Sequence, residues 1–416
     1  MRSVIPAVVP RTLLVVVVAI LRIPRVYPAA TQCAQRPHRN YSAHPIIILS
    51  PDYGPSQFRR LWDCPVPCVL SGDLKSWPRA DAWLERLPAK KHAQPARRPN
   101  KACPLQQFVL LSQESEVHFP LLKHEAARAK GFDIVASTNP ASDVPLSYAA
   151  RFKLDFLDPP LPWGNKTKAA AAFVSNCGAK NSRLELLAAL IAAGLKVNSF
   201  GKCLHNANAG STRAAKMQEL KRHLFSLSFE NSNVHGYVTE KYYQSLVAGS
   251  VPVYLGAPDI ARFSPTADLG ESVVVVPEKG SIAGRAAQVA KVLAVLAKDQ
   301  RAYERLLAWK QRPAGLGGTP LGQLLEAEAR GGGSNCRLCA AVRAKIGAGL
   351  RAAPQGKAST AHGAHGAHGA HGAHGMTGEP SMKLPSALPA GGGLLLATAM
   401  APVVPAARSR RGPSRK

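Results

Sequence analysis

The stretch FSLSFENSNVHGYVTEKYYQSLVAGSVPVYLG, residues 225–256, contains a complete strand–helix–strand unit. FSLSFE (225–230) and SVPVYLG (250–256) are short apolar runs typical of buried strands, and VTEKYYQSLVAG between them has the length of a helix that stops at Gly249. Because a helix separates the two strands, we expect them to run parallel in one sheet. The segment therefore predicts an α/β fold in which a polar cluster follows the first strand.

The same alternation occurs twice earlier in the chain. AAAFVS (170–175), NSRLELLAALIAAG and KVNSFG predict a strand, a helix with Ser182 as N-cap and Gly194 as stop, and a second strand. FVLLS, HFPLLKHEAARAKGF and DIVAST predict another such unit, whose helix ends at Gly131. Since these blocks lie on either side of residue 165, we predict two α/β domains with parallel sheets that face each other.

The amino-terminal third has a different composition. TLLVVVVAIL (12–21) lies between arginines, so residues 1–30 are expected to form a signal anchor; a cleaved signal peptide and an organellar transit peptide are the alternatives. Residues 31–100 are rich in Pro and charge, with short apolar runs, and predict a stem that grades into the first domain. The two domains are then expected at residues 101–165 and 166–345.

The carboxy-terminal part is predicted to lose order. A long helical stretch at residues 282–310 is followed by Gly-rich sequence, and AHG is repeated five times at residues 361–375. The histidines of the repeat could bind metal weakly, but a tract of small residues cannot bury a core. We therefore predict a disordered, low-complexity tail over residues 346–416.

The chain carries 53 Lys and Arg residues against 25 Asp and Glu residues, a net charge of +28 at pH 7. Such an excess favours acidic partners: phosphates, nucleic acid or an anionic membrane surface. Much of it lies in residues 89–102 and 408–416, which are typical of a solvated loop and tail. No basic stripe interleaved with aromatic residues occurs, so nucleic acid is not an expected partner.

Eight cysteines include two closely spaced pairs, Cys64 with Cys68 and Cys336 with Cys339. A zinc site is not favoured, because no His or further Cys stands at zinc-module spacing from either pair. Disulfides formed in an oxidising lumen agree better with the predicted secretory amino terminus. Two sequons make Asn40 and Asn165 candidate glycosylation sites, which also agrees with secretion.

Two polar clusters follow predicted strands and lead into predicted helices. SNCGAKNSR places Arg183 in the first turn of one helix, and FENSNVHGYVTEK places Lys241 in the first turn of another. A cation there opposes the helix dipole, which favours negative charge at that end by about 0.3–1 kcal/mol. Two such cations at the carboxyl edge of a parallel sheet predict a bound anion, best a phosphate. The alternative is that Arg183 pairs with Glu185 or solvent, and Lys241 with Glu240.

Neither a GxxxxGK[ST] nor a GxGxxG motif accompanies the two clusters. Their absence argues against a P-loop and against a dinucleotide fingerprint, and leaves a nucleoside diphosphate held by side chains. Asn231 and Tyr237 are candidates for the base or ribose side, and Glu240 for accepting hydrogen bonds from sugar hydroxyls. Their alternative roles are turn formation for Asn231, core packing for Tyr237 and N-terminal capping for Glu240.

A resemblance to a known family rests on the run YVTEKYYQSLVAGSVPVYLGAPDIARFSP, on SFENSN before it, and on AAFVSNCGAKNSR and VNSFGKC upstream. These stretches resemble the signature of the α1,3-fucosyltransferases, and among them the plant core α1,3-fucosyltransferases that modify N-glycans. SQESEVHFPLLKHEAARAKGFDIVASTNPASDVPLSY and NCRLC extend the match over roughly residues 105–340. The resemblance implies an α/β fold of the GT-B type, in which two Rossmann-like domains face each other across a cleft. The carboxy-terminal domain would bind the donor, GDP-fucose, and the other domain the acceptor.

The resemblance also implies roles for individual residues. Arg183 and Lys241 match the cations that bind the diphosphate, and Glu114, in QES, matches the general base. The other donor-binding residues are Asn231, Tyr237, Thr239 and Glu240; Glu240, which would contact fucose, is counted with Glu114 as catalytic. Glu116 is a rival for the base, because the family usually has Pro or Ala soon after ES, whereas Ser115 and Glu116 follow here.

The mechanism that the resemblance implies is a single displacement with inversion. Glu114 would take the proton of an acceptor hydroxyl while its oxygen attacks the anomeric carbon of fucose, and the two cations would stabilise the GDP leaving group. No metal or other cofactor is required, because the two cations neutralise the diphosphate. Asp143 is the candidate for holding a stimulatory divalent cation such as Mn²⁺.

The family pattern bears on the cysteines and on the setting as well. An early cysteine pair is bridged to the late CxxC in related enzymes, which implies links from Cys64 and Cys68 to Cys336 and Cys339; bridges within each pair are the alternative. We expect a single-pass type II Golgi membrane protein with a lumenal catalytic domain that fucosylates the Asn-linked GlcNAc of N-glycan cores. An outer-arm GlcNAc or another glycan as acceptor, or a non-catalytic glycan-binding relative, are the alternatives.

Overall fold

The computed structural model describes residues 39–352, except for residues 42, 91, 92, 95 and 152–154. Two separate β-sheets with helices packed against them make up this part of the chain, which agrees with the predicted α/β class. The predicted signal anchor, 1–30, and the AHG repeats lie outside the described residues. Within the described residues, no helix combines the length and the apolarity needed to cross a membrane.

The first sheet has the strand order β2-β3-β1-β4-β5-β6-β7. All of its pairings are parallel except that of β2 with β3. Its strands are β1 (Ile46–Leu49), β2 (Phe58–Leu61), β3 (Cys68–Ser71), β4 (Ala82–Arg86), β5 (Gln107–Leu111), β6 (Ile134–Ser137) and β7 (Val144–Pro145).

The second sheet is parallel throughout and has the order β12-β11-β10-β8-β9. Its strands are β8 (Thr167–Ala172), β9 (Val197–Ser199), β10 (His223–Phe229), β11 (Val251–Leu255) and β12 (Val274–Val275). β10 is the central strand, and all seven of its residues are buried because helices cover both faces. The polar cluster that follows β10 is therefore held at the middle of the carboxyl edge.

The α-helices are α1 (His124–Ala129), α2 (Arg183–Ala192), α3 (Arg213–Arg222), α4 (Glu240–Ala248), α5 (Ile282–Leu296), α6 (Gln300–Arg305), α7 (Pro320–Arg330) and α8 (Ser334–Ala352). Short 3₁₀ segments lie at Leu74–Arg79, Pro120–Leu122, Ala149–Arg151, Trp163–Asn165, Ile260–Phe263, Leu269–Glu271 and Ala308–Gln311. α4 ends as predicted, because Gly249 adopts a left-handed conformation with φ of 64°. The single helix predicted at 282–310 is interrupted instead, since Asp299 caps a new helix by accepting a hydrogen bond from the Ala302 amide.

The predicted stem is the largest difference between expectation and structure. Within residues 31–100, four strands, β1 to β4, form more than half of the first sheet, so most of the described part of this segment belongs to the first sheet and not to a stem. Each of these strands has only four or five residues and is separated from the next by Pro-rich turns. A run that short carries too little periodicity to be recognised, and its stability comes from pairing in the sheet.

The predicted loss of order after residue 310 is also wrong. α7 and α8 follow there, and α8 continues through the expected start of the tail to Ala352. Leu338, Val342 and Ile346 of α8 pack in the same core as Ile48 of β1 and Val109 of β5. α8 therefore packs against the first sheet. The predicted domain at residues 166–345 is thus not one continuous unit around the second sheet.

Two disulfides fasten this helix to the first sheet. Cys64 is bonded to Cys336 and Cys68 to Cys339, which is the pairing between early and late cysteines that the resemblance implied. A third bond, Cys177 to Cys203, joins the loops after β8 and β9.

Both predicted glycosylation sites, Asn40 and Asn165, are exposed.

We predict that the two long-range disulfides are redundant. Their sequence separations are 272 and 271 residues, so either bond alone closes nearly the same loop of the unfolded chain. Cys64→Ser/Cys336→Ser should therefore lower the free energy of unfolding only slightly, whereas removing all four cysteines should lower it by about 5 kcal/mol in the chain-entropy account. Urea unfolding under oxidising conditions measures both values.

The bond between Cys177 and Cys203 is the matched control, because it closes a separate loop with a sequence separation of 26 residues. Because no other bond closes that loop, Cys177→Ser/Cys203→Ser alone should lower the free energy of unfolding by about 3 kcal/mol. Losses that simply add when the two long-range bonds are removed one after the other would contradict the redundancy.

Candidate active site

A buried carboxylate organises the carboxyl edge of the second sheet. Glu230 directly follows β10 and is fully buried. It accepts hydrogen bonds from the Thr239 amide at 2.8 Å, from the Thr239 hydroxyl at 2.7 Å and from Lys241 Nζ at 3.2 Å. All three of these partners are donors, which favours the ionised form, whereas burial and the nearby Glu240 act in the opposite direction and raise the pKa of Glu230. Glu230 thereby fixes the residue before α4 and the cation in its first turn.

Lys241 is shared among three acceptors. Its ammonium donates to the Thr239 hydroxyl at 2.8 Å and lies 3.2 Å from both Glu230 Oε2 and Glu240 Oε1. Burial lowers the pKa of Lys241, but the two carboxylates outweigh burial and raise it above its ordinary value. Lys241 is therefore held in the charged form at the amino end of α4, where the sequence placed it.

Arg183 begins α2 and is 2% exposed. Its Nη2 donates to the Asn176 carbonyl at 2.7 Å and its Nη1 to the Phe229 carbonyl at 3.3 Å. Nε is buried and has no hydrogen-bond partner among the described residues. An unpaired donor on a buried guanidinium is costly, and an anion at this edge would satisfy it.

The two polar loops that carry these cations are joined directly. Asn181 Nδ2 donates to the Glu230 carbonyl at 3.1 Å and to Asn233 Oδ1 at 2.9 Å, and the Lys180 amide donates to the Asn231 carbonyl at 3.2 Å. Arg183 and Lys241 are thus brought to one edge of the sheet, as the sequence predicted. Asn231 itself is half-buried, and within the described part of the chain its side chain accepts only a long hydrogen bond, from Ser232 at 3.5 Å.

A second carboxylate reaches this edge from the first sheet. Glu114 lies in the loop after β5, and its Oε2 accepts a hydrogen bond of 3.3 Å from the Tyr237 hydroxyl. Tyr237 is buried, and burial raises its pKa, as do Glu230 and Glu114, so the phenol stays protonated and donates. Nearby, His118 Nε2 lies 3.3 Å from the Asn231 carbonyl. The predicted donor-side and acceptor-side residues therefore meet at one contact.

The rival base and the metal candidate lie elsewhere or are already paired. Glu116 is half-buried and forms no hydrogen bond or ion pair with the donor-side residues of the described chain. Asp143 Oδ2 accepts from Arg128 Nη2 at 2.6 Å and from the Val135 amide at 2.8 Å. The hypothesis that Asp143 holds a divalent cation is thus not supported, because its carboxylate ties α1 to β6. Among the described residues no group of three His, Cys, Asp or Glu side chains is arranged to hold a metal ion.

Two charged residues of the site were not predicted. One is Glu230, although a carboxylate immediately after a strand buried along its whole length is a signal for a buried, paired acid. Lys216, on α3, interacts electrostatically with Glu240, Lys241 and Glu230. It could not be found from spacing, because α3 lies outside the three recognised strand–helix–strand units.

The arrangement has the parts needed for a group transfer from an anionic leaving group. The buried Arg183 and the half-buried Lys241 can bind a diphosphate at this edge, and Glu240 lies beside them with its pKa held down. Burial raises the pKa of Glu240, but Lys241 and Lys216 outweigh it, so the side chain is an acceptor at neutral pH. Glu114, on the opposite side, can accept a proton.

Comparison with protein families gives one match to this region. The family model described as glycosyltransferase family 10 (fucosyltransferase), carboxy-terminal part, matches residues 163–348. That span covers β8 to β12 and the helices that carry Arg183 and Lys241.

Comparison with curated proteins gives several fucosyltransferases. A fucosyltransferase-like protein of Arabidopsis thaliana is 36% identical over 272 residues, which are 65% of this chain and 47% of that protein. Alpha-(1,3)-fucosyltransferase 7 of Homo sapiens is 31% identical over 253 residues, 59% of this chain and 67% of the human protein. GDP-fucose protein O-fucosyltransferase 3 of Danio rerio is 28% identical and is covered over half its length. The chain therefore spans about half to two thirds of these relatives.

Among solved structures, a crystal structure described as alpha1,3-fucosyltransferase aligns with 73% of this chain and 91% of its own, at 17% identity and a TM-score of 0.47. Another, described as alpha1,3-fucosyltransferase with GDP, aligns at 15% identity and a TM-score of 0.42.

The geometry predicts that Glu230 stabilises the fold through Thr239 and Lys241. Glu230→Gln keeps the shape of the side chain but removes its charge. Its amide NH₂ would also face the donors of Thr239 and Lys241, so we expect the free energy of unfolding to fall by about 3 kcal/mol. Urea denaturation followed by circular dichroism measures the loss.

Glu219→Gln is the control, because it breaks a 3.4 Å ion pair with Arg222, whose side chain is 61% exposed. That change should cost less than about 1 kcal/mol. Equal losses in the two variants would show that the buried pair contributes no more than a surface pair.

Proposed function

The chain belongs to glycosyltransferase family 10, the fucosyltransferases, and from that premise we propose that it transfers L-fucose from GDP-fucose to a glycan in α1,3 linkage. The observation that carries the proposal is the contact between Glu114 and Tyr237, which brings a carboxylate from one sheet to the buried cations of the other. A donor bound by Arg183 and Lys241 would then lie next to an acceptor held beside Glu114.

The charges around α4 support GDP-fucose as donor. A nucleoside diphosphate needs cations and N–H donors: Lys241 lies in the first turn of α4, and Arg183 is a buried cation whose Nε has no partner among the described residues. Thr239 presents its hydroxyl to Glu230 and Lys241, so its proposed role is to hold the lysine in place. Glu240, 35% exposed on its side chain, is proposed to accept hydrogen bonds from fucose hydroxyls.

The proposed reaction is a direct displacement. The acceptor oxygen attacks the anomeric carbon of fucose, a new carbon–oxygen bond forms, and the bond from that carbon to the β-phosphate oxygen breaks. The hydroxyl proton passes to Glu114, and the electron pair leaves with GDP, whose charge Arg183 and Lys241 stabilise. Attack from the face opposite the leaving group converts a β-linked donor into an α-linked product.

The Asn-linked GlcNAc of N-glycan cores is the acceptor that we propose, in a Golgi lumen reached through the amino-terminal anchor. The support is the plant-type signature around Lys241 and the fucosyltransferase-like relative from a plant. Three disulfides among the described residues agree with an oxidising compartment. An outer-arm GlcNAc is the second candidate, since the relatives include a 4-galactosyl-N-acetylglucosaminide 3-alpha-L-fucosyltransferase of Homo sapiens at 29% identity.

The proposal predicts transfer of labelled fucose from GDP-fucose to a defined N-glycopeptide. Core-directed activity should label the innermost GlcNAc, and glycosidase mapping with mass spectrometry locates the label. A matched glycopeptide with galactosylated outer arms and a glycan-free peptide are offered in parallel. Label on an outer arm would keep the chemistry and replace the acceptor, whereas GDP binding without any transfer would favour a non-catalytic relative.

Glu114→Gln tests the proposed base. The variant keeps a hydrogen-bond acceptor for Tyr237 but cannot take a proton, so kcat should fall by about a hundredfold or more while GDP affinity stays unchanged. Steady-state kinetics and calorimetric titration with GDP measure the two quantities.

Glu116→Gln, two residues away in the same loop, is the control and should retain wild-type turnover. If Glu116→Gln loses turnover and Glu114→Gln keeps it, the two roles are exchanged.

A further inference from the structure

Lys216 lies over the carboxyl end of the second sheet, although its helix, α3, precedes β10 and the polar cluster that contains Lys241. It is in the first half of α3, and its ammonium is 5.3 Å from the centre of the Phe173 ring. Phe173 directly follows β8 and opens the loop that leads to Arg183. The half-buried stem of Lys216 thus crosses apolar surface and brings the charged end to the edge where the proposed donor binds.

The helix that carries Lys216 is fixed against α4. Thr212 caps α3 by accepting a hydrogen bond from the Ala215 amide at 3.1 Å. Met217, the next residue, packs against the core that contains Tyr242 and Leu246 of α4. Lys216 is therefore held beside the amino-terminal half of α4, where Glu240 and Lys241 lie.

The Lys216 ammonium is not used by the fold in the way that Lys241 is. Among the described residues it has electrostatic interactions with Glu240, Lys241 and Glu230, but no hydrogen bond or ion pair within contact distance. Burial lowers the pKa of Lys216, and the repulsion from Lys241 adds to that, while the two glutamates oppose it. A lysine kept near other charges without a bonded partner is free to bind an incoming anion.

A count of charges shows what Lys216 adds. Arg183 and Lys241 are balanced by Glu230 and Glu240, so these four side chains have no net charge to offer a diphosphate. Their electrostatic contacts link them in one cluster, of which Lys216 is the fifth member. With Lys216 these five side chains have a net charge of +1, and that excess lies on a side chain without a bonded carboxylate. The exposed Arg213, which also interacts electrostatically with Lys216, adds a further positive charge.

We propose that Lys216 is a third diphosphate-binding cation of this site, and that it supplies the net positive charge that draws the donor to Arg183 and Lys241. This inference rests on the proposed function, since it assumes a nucleoside diphosphate donor. It differs from the cation pair predicted from the sequence, because neither helix start provides it. The competing role for Lys216 is packing of its stem on Phe173 with the ammonium in solvent.

GDP alone is the probe that separates these roles, because it carries the diphosphate without fucose or acceptor. Calorimetric titration of the full chain with GDP is compared for the wild type, Lys216→Met and Lys216→Arg. Lys221→Met is the matched control, because Lys221 lies on the same helix but is exposed. Lys216→Met keeps the apolar stem, so contacts with Phe173 persist, and Lys216→Gln is a second neutral variant if the methionine variant does not fold.

The expected result is a loss of GDP affinity of about tenfold or more in Lys216→Met, with Lys216→Arg and Lys221→Met close to the wild type. The affinity of Lys216→Met should also depend less on salt between about 50 and about 300 mM NaCl than that of the wild type, because one phosphate-facing charge is gone. Thermal unfolding checks that the variants fold.

Two outcomes would overturn the inference, and a third would refute the proposed function on which it rests. Wild-type GDP affinity in Lys216→Met would show that the ammonium does not contact the donor. A loss of GDP affinity that Lys216→Arg shows as well, and that does not change with salt, would assign Lys216 a packing role. GDP binding absent from the wild type would instead refute the proposed function itself, so the two failures are distinguishable.

Discussion

The carboxylate of Glu230 is the constraint on which the rest of the site depends. A charge taken out of water at the end of the central strand costs several kcal/mol unless donors surround it. Here Thr239 and Lys241 provide those donors, and both belong to the start of the next helix. Satisfying one buried charge therefore sets the position of α4, and the lysine that satisfies it is also a cation for the anion site. In the proposed reaction, the ion pair that positions α4 would also provide a cation for donor binding.

The carboxyl end of α4 is held in a corresponding way by lysines from two distant segments. Lys310 donates to the Leu246 carbonyl at 2.9 Å and Lys166 to the Gly249 carbonyl at 2.7 Å, where the helix dipole favours positive charge. Burial lowers the pKa of each lysine to about 8. Lysines so deeply buried are tolerated because they satisfy carbonyls that a helix end leaves open. With both ends bonded, α4 cannot shift or rotate easily, so Lys241 at its start is preorganised for a ligand.

The sequence predicted what local pattern encodes and missed what only tertiary packing creates. The strand–helix–strand units around Arg183 and Lys241 were found because buried parallel strands are continuous apolar runs, and because Gly249 ends its helix visibly. β1 to β4 cannot be recognised in the sequence, since strands of four or five residues between prolines carry no periodicity and are stable only within the sheet. α8 was missed for a related reason: its apolar positions, such as Val342, have meaning only against the first sheet, which lies far away in sequence. Lys216 could not be assigned, because its place beside Glu240 is a consequence of how α3 packs.

The contact between the two sheets explains why a glycine, Gly236, occurs within the polar cluster FENSNVHGYVTEK that follows β10. Its φ is +73°, which favours glycine, and a Cβ there would come within 2.5 Å of the Thr138 carbonyl in the first sheet's loop after β6. This close approach places the next residue, Tyr237, against Glu114. A base on one sheet is useful only if the other sheet presents its ligand within hydrogen-bonding reach, so the motif must allow the two backbones to touch. The chain thus combines Lys241, held at the start of α4, with a glycine that allows the backbone of the first sheet to approach closely, and the proposed reacting groups can meet only where these two requirements coincide.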